Sequence, residues 1–169
     1  METLQAIKTR RSIRKFSDKP ISSEIIRELL EAAMFAPSAG NEQPWQFIVL
    51  DDRKFLDEVP TICATASMCR QAPLAILVCS DSSLEKYPGF WVQDCSAAME
   101  NLLLAAHALG LGAVWAGVYP MNDRVEAFRN RLYLPEEITP FALAVLGYPN
   151  EDPATPKRYK EERVHYNGW

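Results

Sequence analysis

Three arginines and a serine fall within five residues at Arg10-Arg11-Ser12-Ile13-Arg14. A guanidinium offers a planar fork of N–H donors that matches phosphate oxygens, and a serine hydroxyl adds a short donor beside it. The cluster therefore reads as a candidate anion site. It also reads as cations gathered at a helix C-terminus, where the macrodipole favours positive charge, and the residues alone leave both readings open. A second stretch, Ala36-Pro37-Ser38-Ala39-Gly40-Asn41-Glu42-Gln43-Pro44-Trp45, joins an apolar helical pattern to an apolar strand pattern. A plain connector needs only about 4–6 residues. Small residues at 38–40 let a flat or bulky group approach the backbone closely, while Ser38, Asn41 and Gln43 add side-chain donors and acceptors. The plainer reading is a helix-to-strand loop.

Other chemistries have little to work with. The two histidines fall in a helical pattern (His107) and in the tail (His165). The four cysteines, Cys63, Cys69, Cys79 and Cys95, show no CxxC spacing. No metal centre and no Ser-His-Asp triad is expected, and no side chain is assigned as a catalytic acid or base. Neither a GxGxxG turn nor a P-loop is present. A phosphate bound at Arg10–Arg14 would thus be held by side chains at a helix end.

Composition bounds the class. At 169 residues, 48% apolar and 24% charged, the chain fits one globular domain with a full core. A net charge of -4 and a pI near 5.3 argue against broad nucleic-acid or anionic-membrane binding. No apolar stretch has the length of a membrane span, and Met1–Arg14 lacks the apolar core of a secretion signal. The expectation is a cytoplasmic protein with reduced, buried cysteines.

The elements that must position these stretches follow from periodicity. Thr3 to Thr9 reads as a short helix with Leu4 and Ile7 inward. Ser22 or Ser23 caps a helix whose apolar face is Ile25, Ile26, Leu29, Leu30 and Ala33, ended by Pro37. Gln46–Leu50 reads as a strand. Leu74–Cys79 is a continuous apolar run, which suits a central strand covered on both faces. Phe90–Leu109 is the longest helix, with a broad apolar stripe. Ala113–Val118 is a strand in which Trp115 reads as core and Gly117 as the mark of a bulge or a close neighbour. Asn122 or Asp123 opens a helix to Leu132, and Phe141–Leu146 is a fourth strand. Alternation of strands and helices predicts an α/β (α+β) layered sandwich with a central mixed sheet flanked by helices. Residues 150–169 read as an extended arm, rich in proline and charge, that reaches ~65 Å at about 3.3 Å per residue. It ends in Val164, His165, Tyr166 and Trp169 and reads as docking on a partner subunit or on its own domain.

The arginine segment and the Ala36–Trp45 stretch, in this order and spacing, resemble the nitroreductase family of FMN-dependent oxidoreductases. The resemblance continues through Gly110-Leu111-Gly112-Ala113-Val114-Trp115-Ala116-Gly117 and from Lys157-Arg158 to Val164-His165, and so covers essentially the whole chain. It implies a nitroreductase-like single domain over 1–169 and a homodimer with FMN at the subunit interface, the arm packing on the partner. Arg10, Arg11, Ser12 and Arg14, with Arg158 returning from the tail, would hold the FMN phosphate and ribityl chain. Pro37, Ser38, Ala39 and Asn41 from the other subunit would lie against the isoalloxazine, with Trp115, Ala116 and Gly117 lining its other side. The implied activity is ping-pong electron transfer from NADH or NADPH through flavin to nitroaromatics, quinones or similar small acceptors. Alternatives on the same fold are a flavin-binding carrier or sensor, or a specialised flavin reaction. Two departures stand out. The chain is short beside the larger nitroreductases, and Val118-Tyr119-Pro120 follows Gly117 where many of them carry a Glu-Gly pair.

Overall fold

Leu74 to Cys79 lies where an uninterrupted apolar run belongs, in the middle of a sheet. The computed structural model describes residues 1–169. Its four strands are β1 (Trp45–Leu50), β2 (Leu74–Asp81), β3 (Gly112–Gly117) and β4 (Ile138–Gly147), in the order β1-β2-β4-β3. Five helices pack around them: α1 (Thr3–Thr9), α2 (Ser23–Met34), α3 (Arg53–Ile62), α4 (Trp91–Ala108) and α5 (Asn122–Leu132). Side chains of β2 alternate between two cores, as strand geometry requires. Ala75, Leu77 and Cys79 meet Phe55, Leu56 and Val59 of α3 and Phe128 of α5. Leu74, Ile76 and Val78 meet Leu29 and Ala33 of α2 and Ala98, Met99 and Leu102 of α4. Helices thus cover both faces, and the layered sandwich is as expected.

The strand pairing is antiparallel throughout rather than mixed. A strand buried on both faces is apolar at every position whichever way its neighbours run, so the Leu74–Cys79 run carries no information on direction. The only parallel pairing is an isolated bridge between Ser12 and Ala113 of β3. It belongs to the segment after α1, which runs along the outer edge of β3. The Ile13 amide donates to the Ala113 carbonyl at 3.0 Å, and the Ser17 amide to that of Tyr148 at 2.9 Å. Glycine makes this contact possible. A Cβ on Gly112 would lie 2.7 Å from Ile13 Cγ2, and one on Gly147 would lie 2.8 Å from Phe16 Cβ. Gly112 and Gly147 are themselves paired across β3 and β4, so the two bare positions form one cradle. Ile13 and Phe16 fill it, and the arginines between and beside them are held at the sheet edge.

Three local expectations are corrected. Leu4 and Ile7 point outward, 68% and 52% exposed, while Ala6 makes the buried contact of α1. A two-turn helix resting on α4 has room for one small inward side chain. Trp115 stands on the sheet edge, 36% exposed, because β3 is an outer strand. Gly117 ends β3 instead of interrupting it, and a Cβ there would meet nothing within 4 Å. Its carbonyl is the used feature: Nη1 of Arg124 donates to it at 2.7 Å.

Candidate functional site

Three cationic side chains gather where α1 ends. Lys8, Arg11 and Arg158 line one cleft of about 460 Å³ together with Ile7, Thr155 and Tyr159. The structure therefore brings Arg158 back from the tail to the arginine segment. Arg11 also caps α1, donating to the carbonyls of Arg10 at 2.5 Å and Lys8 at 3.0 Å. Its Nε reaches Ala154 O at 3.3 Å. The helix-end reading of this arginine is seen directly in these bonds, while the same side chain also lines the cleft. Arg10 turns the other way, toward α4, where its Nε lies 3.3 Å from Glu100 Oε1. That buried Nε makes no well-aligned hydrogen bond. The side chains of Ser12 and Arg14 are exposed on the outer face of the segment. The backbone at Arg14 is fixed from the tail: Glu151 Oε1 accepts from the amides of Arg14 at 2.5 Å and Lys15 at 3.1 Å. These amides, offset in part by burial, hold the Glu151 carboxyl below its usual range.

His107 of α4 reports on the same charges. Its Nε2 lies 2.8 Å from Thr9 Oγ1, and Thr9 already donates its hydroxyl proton to Gln5 O at 2.7 Å. Nε2 must then be the donor, so the neutral ring carries its proton there. Burial, together with the charges of Arg10 and Arg11, holds His107 below the usual imidazole value.

The second stretch is built from backbone and buried acid. After α2, a 3-10 turn at Ala39–Asn41 carries Gly40 at φ 52° and Asn41 at φ 55°. Tyr87 lies against Gly40 where a Cβ would stand. Ser38 Oγ accepts from the Gln43 amide at 3.0 Å. Ala39 N donates at 3.0 Å to Oδ1 of Asp94, in the first turn of α4. Glu42, 6% exposed, accepts from the amides of Lys86 at 2.5 Å and Tyr87 at 3.0 Å. Pro37 and Asn41 are exposed and Ser38 and Ala39 half-buried. No hydrogen bond or ion pair joins this loop to the arginine segment of the same chain.

Between them lies the end of β3. From Ala113, beside Ser12, to Gly117 the strand runs ~13 Å at about 3.3 Å per residue. Trp115 packs edge-on against Phe141 at 5.6 Å, and Phe141 against Trp91 at 6.0 Å. Trp91 also meets Tyr119 at 4.6 Å. Trp91 is one turn before Asp94, so aromatic contacts connect β3 to the helix that holds the loop. Ala116 is 3% exposed with its methyl group in the core, so it can offer a ligand only its backbone. Sequence reasoning missed Lys8, Glu42, Asp94, Glu100, Arg124 and Glu151. Each looks like an ordinary surface charge until the fold places it.

Comparison with known proteins agrees with this fold. The nitroreductase family model matches residues 7–67 and 61–148. A Methanothermobacter thermautotrophicus protein named "Putative NADH dehydrogenase/NAD(P)H nitroreductase" is 53% identical over 169 residues, covering 100% of this chain and 88% of that one. A solved structure of the same name from Parabacteroides distasonis superposes with a TM-score of 0.94 at 42% identity, covering 99% and 98% of the two chains. A Desulfovibrio desulfuricans protein solved in complex with FMN gives a TM-score of 0.86 at 34% identity, covering 100% and 98%. With the family's pattern matched along most of its length and its fold reproduced, the chain belongs to the nitroreductase family.

Proposed function

We propose that this chain is an FMN-dependent oxidoreductase that passes electrons from NADH or NADPH to nitroaromatics, quinones or similar small acceptors. Reductant and acceptor use one site in turn, a ping-pong scheme. The observation that carries the reading is the cationic cleft of Lys8, Arg11 and Arg158 at the edge of β3, in a chain of this family. The residues fit the phosphate end of FMN. Arg11 and Arg158 supply guanidinium donors, Ser12 a hydroxyl and Arg14 a further exposed cation. Arg10, held by Glu100 on the α4 side, adds positive charge beside the cleft without lining it. Trp115 and the backbone of Ala116 and Gly117 border the strand on which a flat ring would lie. When bound, FMN supplies the redox chemistry, and the protein binds, orients and shields it. Arg124 fixes the Gly117 carbonyl and so the strand end.

The second half of the site comes from a partner in this reading. Pro37, Ser38, Ala39 and Asn41 are separate from the arginines within one chain, which suits a homodimer in which each protomer lends its loop to the other. Exposed Leu4, Ile7, Met34 and Phe35 leave apolar surface of the kind an interface covers. The arm over residues 150–169 reaches the partner, its last residue Trp169 being fully exposed on its own chain. Deleting residues 154–169, which leaves Glu151 in place, should shift sedimentation from dimer toward monomer; an unchanged dimer would place the arm on its own subunit.

The test of the activity is the visible spectrum of the protein with FMN, before and after NADH or NADPH under anaerobic conditions. A bound-flavin spectrum that bleaches, and recovers on adding a quinone, is the expected result. A flavin spectrum that never bleaches would favour the carrier reading, and no flavin binding would sink the enzyme.

A further inference from the structure

Two buried carboxyl groups lie under the Ser38–Trp45 loop, outside the cationic cleft. Asp94 is 4% exposed and Glu42 6%. One oxygen of each is satisfied by backbone amides, Asp94 Oδ1 by Ala39 and an oxygen of Glu42 by Lys86 and Tyr87. The other oxygens, Glu42 Oε1 and Asp94 Oδ2, are buried and accept nothing. Both are held at one turn, since Asp94 accepts from the Ala39 amide and the Ala39 carbonyl accepts from the Glu42 amide at 3.0 Å, and there each carboxyl acts on the other. Two carboxylates cannot sit so closely without repulsion, and two carboxylic acids would waste the amide donors.

We propose that Glu42 and Asp94 share a single proton, and that this O–H···O bond fastens the Ala36–Trp45 loop to the start of α4. Asp94 is the carrier of the proton and Glu42 the acceptor. For Asp94, burial and the neighbouring Glu42 and Glu85 charges favour the neutral acid and outweigh the Ala39 amide. For Glu42, burial acts against the charge, but the Lys86 and Tyr87 amides and the Asp94 proton more than offset it. The charged groups facing the pair are Glu85 and Lys86, both from the segment between β2 and α4. The bond ties together three elements that already touch at Tyr87–Gly40 and Ala39–Asp94: the loop, the 85–87 segment and the α4 N-terminus. Glu42 and Asp94 are thus positioning residues. That they position a flavin-contacting loop rests on the FMN reading; that they share a proton does not.

The sign of the pH dependence follows. Above the raised Asp94 value the shared proton is lost and two buried charges push the loop off α4. Below the lowered Glu42 value its carboxylate is neutralised and its hold on the Lys86 and Tyr87 amides weakens. The loop is tightest between the two, with one proton present.

The test uses the flavin-free full chain. Infrared spectra at neutral pH should show a carboxylic-acid C=O band that shifts in heavy water and vanishes in Asp94→Asn. Hydrogen exchange at the Ala39, Lys86 and Tyr87 amides should lose protection as pH rises in the wild type. In Asp94→Asn, whose amide can still donate to Glu42, protection should stay near wild type and lose that pH dependence. Asp94→Ala should drop it by about tenfold or more, the effect of an orphaned buried acceptor. No acid band in the wild type, or an Asp94→Asn profile that still follows pH, would overturn the shared proton. An FMN titration separates the two readings: a chain that shows the band and the exchange pattern but binds no FMN keeps the proton and loses the flavin.

Discussion

The two halves of the candidate site are built by opposite means. The arginine segment is open to water and works through charged side chains, on a backbone pinned by a glycine cradle. The Ala36–Trp45 loop carries no cation, and its small residues offer backbone, held from below by two buried acids. An exposed cation cluster gains affinity for an anion at little cost to folding, because its charges are solvated when empty. A loop of small residues has few contacts of its own, so its conformation must be imposed by a neighbour. Asp94 does this from α4, and the Lys86 and Tyr87 amides of the segment before it do so by holding the loop's own Glu42. Charge stands exposed at one end and holds the backbone in shape at the other.

Removing the cations should break the first half with the largest effect. The double variant Arg11→Ala/Arg158→Ala takes two charge-assisted hydrogen bonds from the proposed phosphate. Taking about 1.5 kcal/mol for each, the low end because the cleft is open to solvent, FMN affinity should fall ~100-fold. Quenching of flavin fluorescence would measure it. The wild-type affinity should also weaken with added salt, and the variant's much less. Loop protection at Ala39 should not change. Equal FMN affinity in the two proteins would take the phosphate away from this cleft.

The cradle gives a sharper cut. Gly112→Ala adds a methyl group within 2.7 Å of a branched Ile13 side chain, which cannot swing aside as a flexible chain end would. Overpacking of this kind destabilises by about 1–3 kcal/mol, and each kcal/mol lowers Tm by about 2–4 °C at this chain length. The strain falls on the Arg10–Phe16 segment, so FMN affinity should drop alongside Tm while Ala39 protection holds. If Tm falls and affinity does not, the position of the segment matters less than its charges.

What the sequence made legible follows the same division. Arg10, Arg11, Ser12 and Arg14 sit together in the chain, so a local reading finds them, and the loop announces itself by its prolines and small residues. The layered fold was equally legible, because Leu74–Cys79 and the helical stripes are local patterns. Long-range placement was not. Asp94 is 55 residues from the amide it accepts, and an acid in the first turn of a helix is what the macrodipole favours anyway. Gly112 shows as a glycine, yet its meaning lies in Ile13 across the sheet edge. Leu4 and Ile7 obey helical spacing but face outward, since periodicity gives a face and not the side that the core is on. Strand direction left no mark in β2.

The smallest expected effect tests whether the cationic half acts as one electrostatic unit. His107 touches no proposed ligand, but it lies against Arg10 and Arg11, and its value in the folded chain is depressed. The sign is therefore that of a group protonated more readily when unfolded. Near pH 7.5 both states hold a neutral ring and His107 makes no difference to stability. As pH falls past the ordinary imidazole value of about 6.5, the unfolded chain takes up a proton that the folded chain refuses, and stability is lost until the depressed folded value is passed. Tm should then fall by a few degrees at most between about pH 7.5 and about pH 5.5, and His107→Gln, which can still donate to Thr9, should flatten that limb. Adding FMN should shrink the limb in the wild type, because an anion beside Arg10 and Arg11 offsets the charges that depress the ring. NMR titration of the His107 ring would read the same shift directly, upward with FMN in the wild type and little changed in Arg11→Ala/Arg158→Ala. A ring that titrates identically with and without bound FMN would mean that the phosphate lies beyond the reach of these arginines.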